Sequence, residues 1–138
     1  MCQHSEIGTV LIVDDHLPLL RNMAFLLELT GFSTLTATNG QEALQRMAER
    51  TPDVIISDVA MPLMDGFELL RAVRADTRWQ QTPFIFASAQ YELEDVIRSL
   101  ELGADDYVPK PFDIYDILDS IQRAAPHLIR RGHRQLAS

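Results

Sequence analysis

Three aspartates stand directly after apolar runs that are typical of buried strands. Asp14 and Asp15 follow residues 10–13, and Asp58 follows residues 54–57. Two strands that end in acid are expected to bring three negative charges together at one edge of a sheet. Like charges repel, and each raises the pKa of its neighbours. A hard divalent cation such as Mg2+ would offset that repulsion, so the pattern predicts a magnesium site.

Strand and helix patterns alternate along the chain and predict the elements that position these acids. Strands are predicted at residues 9–13, 32–38, 54–57, 84–88 and 106–108, and helices at 18–30, 42–50, 67–75, 92–102 and after Pro111. Such alternation requires a parallel sheet with helices on both faces. The predicted fold class is α/β: a doubly wound, five-stranded parallel sheet of the flavodoxin-like (βα)5 type. A strand order of 2-1-3-4-5 places strands 1 and 3 side by side, at the switch point where such sheets bind ligands.

Apolar periodicity also predicts which side chains of the helices face the core. The fourth helix is expected to use Val96, Ile97 and Leu100, and Trp79 either packs on the body or is free for a partner. The other predicted inward residues are Leu20, Met23, Leu26 and Leu27 in helix 1, Ala43, Leu44 and Met47 in helix 2, and Ile114, Ile117, Leu118 and Ile121 in helix 5.

Composition indicates one ordinary domain. The 138 residues, 46% of them hydrophobic, can fill a single core, and no apolar run approaches the length of a membrane span. The N-terminus resembles no signal peptide, and the single cysteine, Cys2, cannot form an internal disulfide. A cytoplasmic location without membrane contact is therefore expected.

The charge is unevenly distributed. The whole chain carries −8, but residues 126–138 carry +3 through Arg130, Arg131 and Arg134, which leaves −11 on the rest. An acidic body argues against nucleic acid as a direct partner, and DNA contact by the tail is a minor alternative. The predicted division is a domain over residues 8–125 and a basic C-terminal tail or linker over 126–138.

Four motifs, each at the end of a predicted strand, make the chain resemble a response-regulator receiver domain of two-component signalling, in the CheY-like superfamily. They are Val13-Asp14-Asp15, the segment from Ser57 to Gly66, Ala87-Ser88-Ala89 and Lys110-Pro111-Phe112. The resemblance covers residues 8–125. It implies a phosphorylation-dependent switch that is not an enzyme in the ordinary sense, although it assists its own phosphorylation and slow dephosphorylation. It also implies a histidine kinase or histidine phosphotransfer protein as partner.

The resemblance implies a role for each site residue. Asp58 would accept the phosphoryl group, a fitting role for a carboxylate that is ionised at neutral pH. Asp15 would bind Mg2+ directly and Asp14 mostly through water, with Asp58 and the backbone carbonyl of Ala60 as further ligands. Lys110 would reach a carboxylate and later a phosphate oxygen, and its bond to Pro111 would be cis.

Further implied roles concern the response to phosphorylation. Ser88 would hydrogen-bond a phosphoryl oxygen, and Tyr107 would be the aromatic switch whose ring turns inward as Ser88 moves. Ala60 and Gln90 would flank the path of the hydrolytic water and tune the lifetime of the phosphate. The face formed by helix 4, strand 5 and helix 5 would then bind a partner or a second copy of the chain. Both a stand-alone receiver and the receiver of a longer regulator or hybrid kinase stay open.

Three alternatives are weaker. A phosphatase of the haloacid-dehalogenase type needs an aspartate two positions after the nucleophile, where this chain has Ala60. A flavodoxin-like cofactor binder would want a glycine- and hydroxyl-rich loop after strand 1, whereas Asp14 and Asp15 would repel a phosphate. A degenerate receiver that signals without phosphorylation is disfavoured by the complete set of acid, hydroxyl and lysine positions.

Overall fold

Five parallel strands form one sheet in the order β2-β1-β3-β4-β5, as predicted. The structure is a computed structural model that describes residues 7–128. The strands are β1 (Thr9–Val13), β2 (Ser33–Ala37), β3 (Val54–Ser57), β4 (Phe84–Ser88) and β5 (Asp106–Pro109). The helices are α1 (Leu17–Leu29), α2 (Gly40–Glu49), α3 (Gly66–Ala75), α4 (Leu93–Glu101) and α5 (Ile114–Ala124).

The sheet separates two apolar clusters, which is why its central strands are apolar on both faces. Every residue of β1, β3 and β4 is buried, whereas the edge strands β2 and β5 are partly exposed. One cluster includes side chains of α2 and α3, with part of α4 packed against it, and the other includes side chains of α1 and α5. Helices therefore cover both faces, as the alternating pattern requires.

Side-chain caps fix where three of the helices begin. Asn39 accepts a hydrogen bond from the backbone N–H of Glu42, so α2 begins at Gly40, two residues earlier than predicted. Reciprocal capping boxes begin α3 (Asp65 with Glu68) and α5 (Asp113 with Asp116). The loop that follows Asp58 therefore ends at Asp65, the residue that caps α3.

The predicted core face of α4 is wrong in part. Ile97 and Leu100 are 46% and 54% exposed, and only Val96 of the predicted trio packs against the core. The fully buried residue of this helix is Ser99, whose hydroxyl donates to the carbonyl of Val96 at 2.7 Å. Because that bond satisfies the hydroxyl internally, a serine can face the core while the apolar stripe faces outward.

The other predicted helix faces agree with the structure. Met23 and Met47 are buried core residues, as are Ile117 and Ile121 of α5. Trp79, for which two places were open, packs on the body: it is 4% exposed and its indole N–H lies 3.4 Å from the hydroxyl of Thr51. The remaining predicted inward side chains are buried or half-buried, namely Leu20, Leu26, Leu27, Ala43, Leu44, Ile114 and Leu118.

The packed body extends through Leu128, which is fully buried in the cluster beneath α1 and α5. The role of residues 126–138 as a tail or linker stays a prediction. Cys2 and the basic residues Arg130, Arg131 and Arg134 lie outside the described residues.

Candidate functional site

Three carboxylates meet at the carboxyl edge of the sheet. Val13 of β1 lies opposite Ser57 of β3 in parallel register, so the acids that follow these residues converge. Asp14, Asp15 and Asp58 each offer an oxygen, and these oxygens lie within 4.8 Å of one another. Asp14 is buried, Asp58 is half-buried and Asp15 is exposed, so the cluster opens to solvent on one side.

Lys110 joins two of the three acids. Its Nζ lies 2.9 Å from Asp14 Oδ2 and 2.9 Å from Asp58 Oδ2. Its backbone N–H donates to the carbonyl of Ser88 at 2.9 Å, and its bond to Pro111 is cis, as the resemblance implied. Burial alone lowers the pKa of Lys110, but the hydrogen bonds and charges of Asp14 and Asp58 outweigh it, so the net pKa is raised. The ammonium is therefore charged at neutral pH. It is also the only lysine in the chain.

Both oxygens of the Asp58 carboxylate have partners. Oδ1 accepts the backbone N–H of Val59 at 2.7 Å, while Oδ2 accepts Lys110. The Asp58 backbone is held as well, because its N–H donates to the carbonyl of Val13 at 2.9 Å. Gly66 closes the loop over it: a Cβ there would lie 2.2 Å from the carbonyl oxygen of Asp58. No larger residue fits without moving the acid, which gives the sequence Asp65-Gly66 a structural reason.

Asp14 and Asp15 differ in how their oxygens are used. Asp14 accepts the backbone N–H of His16 on Oδ1 at 2.9 Å and Lys110 on Oδ2. Within residues 7–128, the carboxylate of Asp15 has no hydrogen bond. Its oxygens are the uncommitted ones of the cluster, which suits the direct metal ligand that the resemblance implied. The supporting N–H groups of His16 and Val59 were not predicted, although an aspartate side chain often accepts a hydrogen bond from a neighbouring backbone N–H in a turn.

The acid cluster fits Mg2+ by the chemistry of its donors. All three side chains offer carboxylate oxygen, and three carboxylates against one ammonium leave a formal charge of −2. Mg2+ favours a few carboxylates and keeps several waters, which the exposed side of Asp15 allows. Ala60, the predicted source of a backbone ligand, lies exposed two residues after Asp58.

Ser88 and Tyr107 are linked through the backbone of Gln90. The N–H of Gln90 donates to Ser88 Oγ at 3.1 Å, and its carbonyl accepts the Tyr107 hydroxyl. Ser88 is buried at the end of β4, whereas the side chain of Gln90 is exposed. Sequence reasoning considered only the Gln90 side chain and missed this backbone connection.

The ring of Tyr107 already lies inward. Tyr107 is 8% exposed, and its ring centre lies 5.7 Å from Phe86 and 5.6 Å from Tyr91. Burial raises the pKa of Tyr107, and the charges of Asp95 and Asp58 add to this, against an opposing hydrogen bond with Ser88. The phenol is therefore neutral and can donate its proton to Gln90.

A family model called response regulator receiver domain matches residues 10–122. The match covers most of the chain and includes Asp14, Asp15, Asp58 and Lys110. The chain belongs to the response-regulator receiver family. Its sheet order and its acidic pocket are those expected of a receiver, and among residues 7–128 no helix is long and apolar enough to cross a membrane.

Curated relatives of this receiver are longer proteins. The regulatory protein AtoC of Escherichia coli is 41% identical over 121 residues, which are 87% of this chain and 26% of AtoC. The phosphate regulon transcriptional regulatory protein PhoB of Pseudomonas aeruginosa is 40% identical over 104 residues, 75% of this chain and 45% of PhoB. The chain thus spans between about a quarter and a half of the length of the curated relatives that it matches.

Solved structures agree with the receiver fold. The chemotaxis response regulator CheY4 of Vibrio cholerae superposes with a TM-score of 0.80 at 34% identity, covering 85% of this chain and 98% of CheY4. The signal receiver domain of a histidine kinase from Syntrophus aciditrophicus gives 0.73 at 37% identity, covering 89% and 88%.

Proposed function

We propose that this receiver accepts a phosphoryl group on Asp58 from the phosphohistidine of a histidine kinase or histidine phosphotransfer protein. The observation that carries the proposal is the setting of Asp58, whose carboxylate is held by Lys110 and the Val59 N–H beside two further acids. This arrangement presents a carboxylate nucleophile in a half-open pocket.

The transfer forms one bond and breaks one. A carboxylate oxygen of Asp58 attacks the phosphorus, the phosphorus–nitrogen bond to the donor histidine breaks, and an acyl phosphate forms. Oδ1 and Oδ2 each accept one hydrogen bond, which leaves each oxygen a further lone pair for attack on the phosphorus. The flexible ammonium of Lys110 can then move from Asp58 to a phosphoryl oxygen while it stays on Asp14.

Asp14, Asp15 and Asp58 would hold Mg2+, with the backbone carbonyl of Ala60 as a fourth protein ligand. The bound ion would neutralise charge on the transferring phosphoryl group. This chain's own residues orient the acceptor and supply the lysine. In this proposal the phosphoryl group stays on Asp58. A phosphatase of the haloacid-dehalogenase type would need an acidic residue two positions later, and this chain has Ala60 there.

The proposed readout runs from Ser88 to the face formed by α4, β5 and α5. If Ser88 turns its hydroxyl toward the phosphoryl group, the Gln90 N–H loses its acceptor, and the Gln90 carbonyl that holds Tyr107 shifts with it. That face would bind an effector, or alternatively a second copy of the chain. Ala60 offers no polar group to orient water, so with Gln90 it is expected to give a slow to moderate loss of phosphate.

The experiment uses acetyl phosphate, a small-molecule donor that needs no cognate kinase. With Mg2+ the full chain is expected to gain one phosphoryl group that is stable in acid and labile in base. Asp58→Asn should gain none, and chelation of Mg2+ should suppress the reaction in the unmodified chain. Equal incorporation into Asp58→Asn would refute the proposal.

We also propose that the protein acts in the cytoplasm and binds neither a membrane nor nucleic acid directly.

A further inference from the structure

An outward-facing apolar stripe lies on α4. Leu93, Ile97 and Leu100 are 73%, 46% and 54% exposed, and their spacing of four and three residues puts them on one face of the helix. Tyr91, just before α4, and Tyr115 of α5 are exposed as well. We define the α4 stripe as Leu93, Ile97 and Leu100. Such a run of large exposed side chains is typical of an interaction surface.

The region around the stripe is strongly acidic. Residues 91–124 contain nine acidic and three basic residues, a formal charge of −6 out of −8 for the whole chain. Glu94 and Glu101 are exposed and lie seven residues apart, in the row next to the stripe. A groove of about 220 Å3 between β5 and α5 is lined by two further acids, Asp116 and Asp119.

The three basic residues of this region are already engaged. Arg98 stacks over the ring of Phe67 at 4.2 Å, and Arg123 pairs with Asp106 at 2.7 Å. Lys110 pairs with Asp14 and Asp58 in the acid cluster. Within residues 7–128, no ion pair involves the four acids at the start and end of α4, which are Glu92, Glu94, Asp95 and Glu101. The face therefore stays net negative even when Arg98, an exposed cation of α4, is counted.

This charge distribution favours a cationic partner over a second copy of the chain as the binding partner of the α4 stripe. A symmetric contact with a second copy would bring together two surfaces that are both net negative, and like charges across an interface are costly. A cationic partner would find apolar contact on the stripe and opposite charge along Glu94 and Glu101. An amphipathic helix that packs its apolar face against an apolar surface of its partner is a common recognition mode.

We propose that the α4 stripe and its acidic border dock a positively charged amphipathic helix of an effector, in preference to a second receiver. The inference rests on the proposed function for its role as output. The binding itself needs only the exposed stripe and can be measured in unphosphorylated protein, so its failure is distinguishable from a failure of phosphorylation. Tyr91, packed on Tyr107 at 5.6 Å, is a physical connection from the switch to this surface.

The test measures binding of a fluorescent 18-residue helical peptide made of Leu and Lys, with Leu on one face, to the full chain. We expect binding that weakens as salt rises. Ile97→Ala and the charge reversal Glu94→Lys are each expected to weaken it about tenfold, as for a central contact in an interface. The matched controls are Leu29→Ala, which truncates an exposed leucine of α1, and Glu49→Lys, which reverses an exposed acid of α2. Both should leave affinity unchanged.

Three outcomes would overturn the proposal. Equal weakening by Glu49→Lys would mean that the peptide responds to net charge alone, and equal weakening by Leu29→Ala would mean that any exposed leucine serves as well as the α4 stripe. A concentration-dependent dimer in sedimentation that Ile97→Ala abolishes would make a second copy the occupant. Binding that becomes more than tenfold tighter when Arg130, Arg131 and Arg134 are changed to Gln would make the chain's own basic tail the occupant. Acetyl phosphate labelling of each variant shows separately that the phosphoacceptor site is intact.

Discussion

The two ends of the sheet use aspartate in opposite ways. At the amino edge, Asp53 accepts the first N–H of β1, from Thr9, at 2.7 Å, and Asp105 accepts the first N–H of β4, from Phe84, at 2.8 Å. Each of these acids stands just before a strand and completes the neighbouring strand. At the carboxyl edge, by contrast, three acids stand just after strands and converge within 4.8 Å.

The role of an acid in this sheet depends on whether it stands before or after a strand. An acid before a strand meets outward-pointing N–H groups of an adjacent strand, which satisfy it locally and keep it apart from other acids. Acids after two adjacent parallel strands meet each other, so their repulsion must be offset by Lys110 or by a cation. The amino edge stabilises the fold, and we propose that the carboxyl edge carries the function.

The largest expected effect is on phosphorylation, which a substitution at the carboxyl edge should abolish and a matched substitution at the amino edge should leave intact. Asp58→Asn is expected to abolish phosphorylation by acetyl phosphate, because the amide lacks the ionised oxygen that attacks phosphorus. Asp105→Asn at the amino edge is the matched change, and it should be phosphorylated as fast as the parent chain. Intact-protein mass spectrometry measures both. A comparable loss of phosphorylation in Asp105→Asn would show that both edges of the sheet are needed for the function.

Loss of the only lysine should affect both stability and transfer. Lys110→Met leaves Asp14 and Asp58 without their cation, and since the lysine side chain is one-fifth exposed, we expect about 2 kcal/mol lower free energy of unfolding without metal. Phosphorylation should slow by about a hundredfold, because one charge stabiliser of the transfer is gone. Urea unfolding and labelling rates measure the two effects, and an unchanged labelling rate would remove Lys110 from the site.

An acid removed from the amino edge should lower stability alone. Asp53→Ala leaves the N–H of Thr9, a buried residue, without its acceptor, at a cost of about 1–2 kcal/mol. Phosphorylation should be unchanged. The check is urea unfolding beside acetyl phosphate labelling. A neutral effect on stability would mean that water replaces the carboxylate at this edge.

Removal of an acid from the carboxyl edge should raise the free energy of unfolding instead of lowering it. Asp15→Asn relieves repulsion among the three acids and costs no hydrogen bond within residues 7–128, so we expect about 0.5 kcal/mol higher free energy of unfolding without metal. Mg2+ affinity, measured by calorimetry, should fall by at least about tenfold. Lower stability in this variant would contradict the idea that the three acids repel.

The last and most local effect is a change in the titration of a single side chain at alkaline pH. The pKa of Lys110 is raised in the folded chain, so its stabilising contribution is complete below the ordinary lysine pKa and is lost as the pH rises through the raised value. Because the chain has one lysine, selective isotope labelling gives a single side-chain resonance to titrate by NMR. Asp14→Asn should shift that titration to lower pH. A Lys110 pKa at or below the ordinary value would show that the two acids do not hold it.

Sequence alone predicted the strand order and the convergence of the three acids, because periodicity and parallel topology are local or repeated along the chain. The cis bond before Pro111 was implied by the family resemblance, and the structure has it. The amino-edge roles of Asp53 and Asp105 were missed because an acid before a strand has no distinctive local pattern. Their partners, Thr9 and Phe84, are 44 and 21 residues away.

The error in α4 has a different physical cause. Its apolar residues have helical spacing, and spacing shows that a helix is amphipathic without showing which side faces the core. Here Ser99 faces inward because its hydroxyl is satisfied by Val96, and Ile97 and Leu100 face solvent. A helix whose apolar side is turned outward is itself informative, since it leaves a surface for a partner.

The most direct test of the central claim identifies the residue that receives the phosphoryl group. The full chain is treated with acetyl phosphate and Mg2+, the acyl phosphate is reduced with borohydride, and the resulting homoserine is located by peptide mass spectrometry. We predict reduction at position 58 alone. Homoserine at position 14 or 15, or at Asp53 or Asp105 of the other edge, would contradict the account.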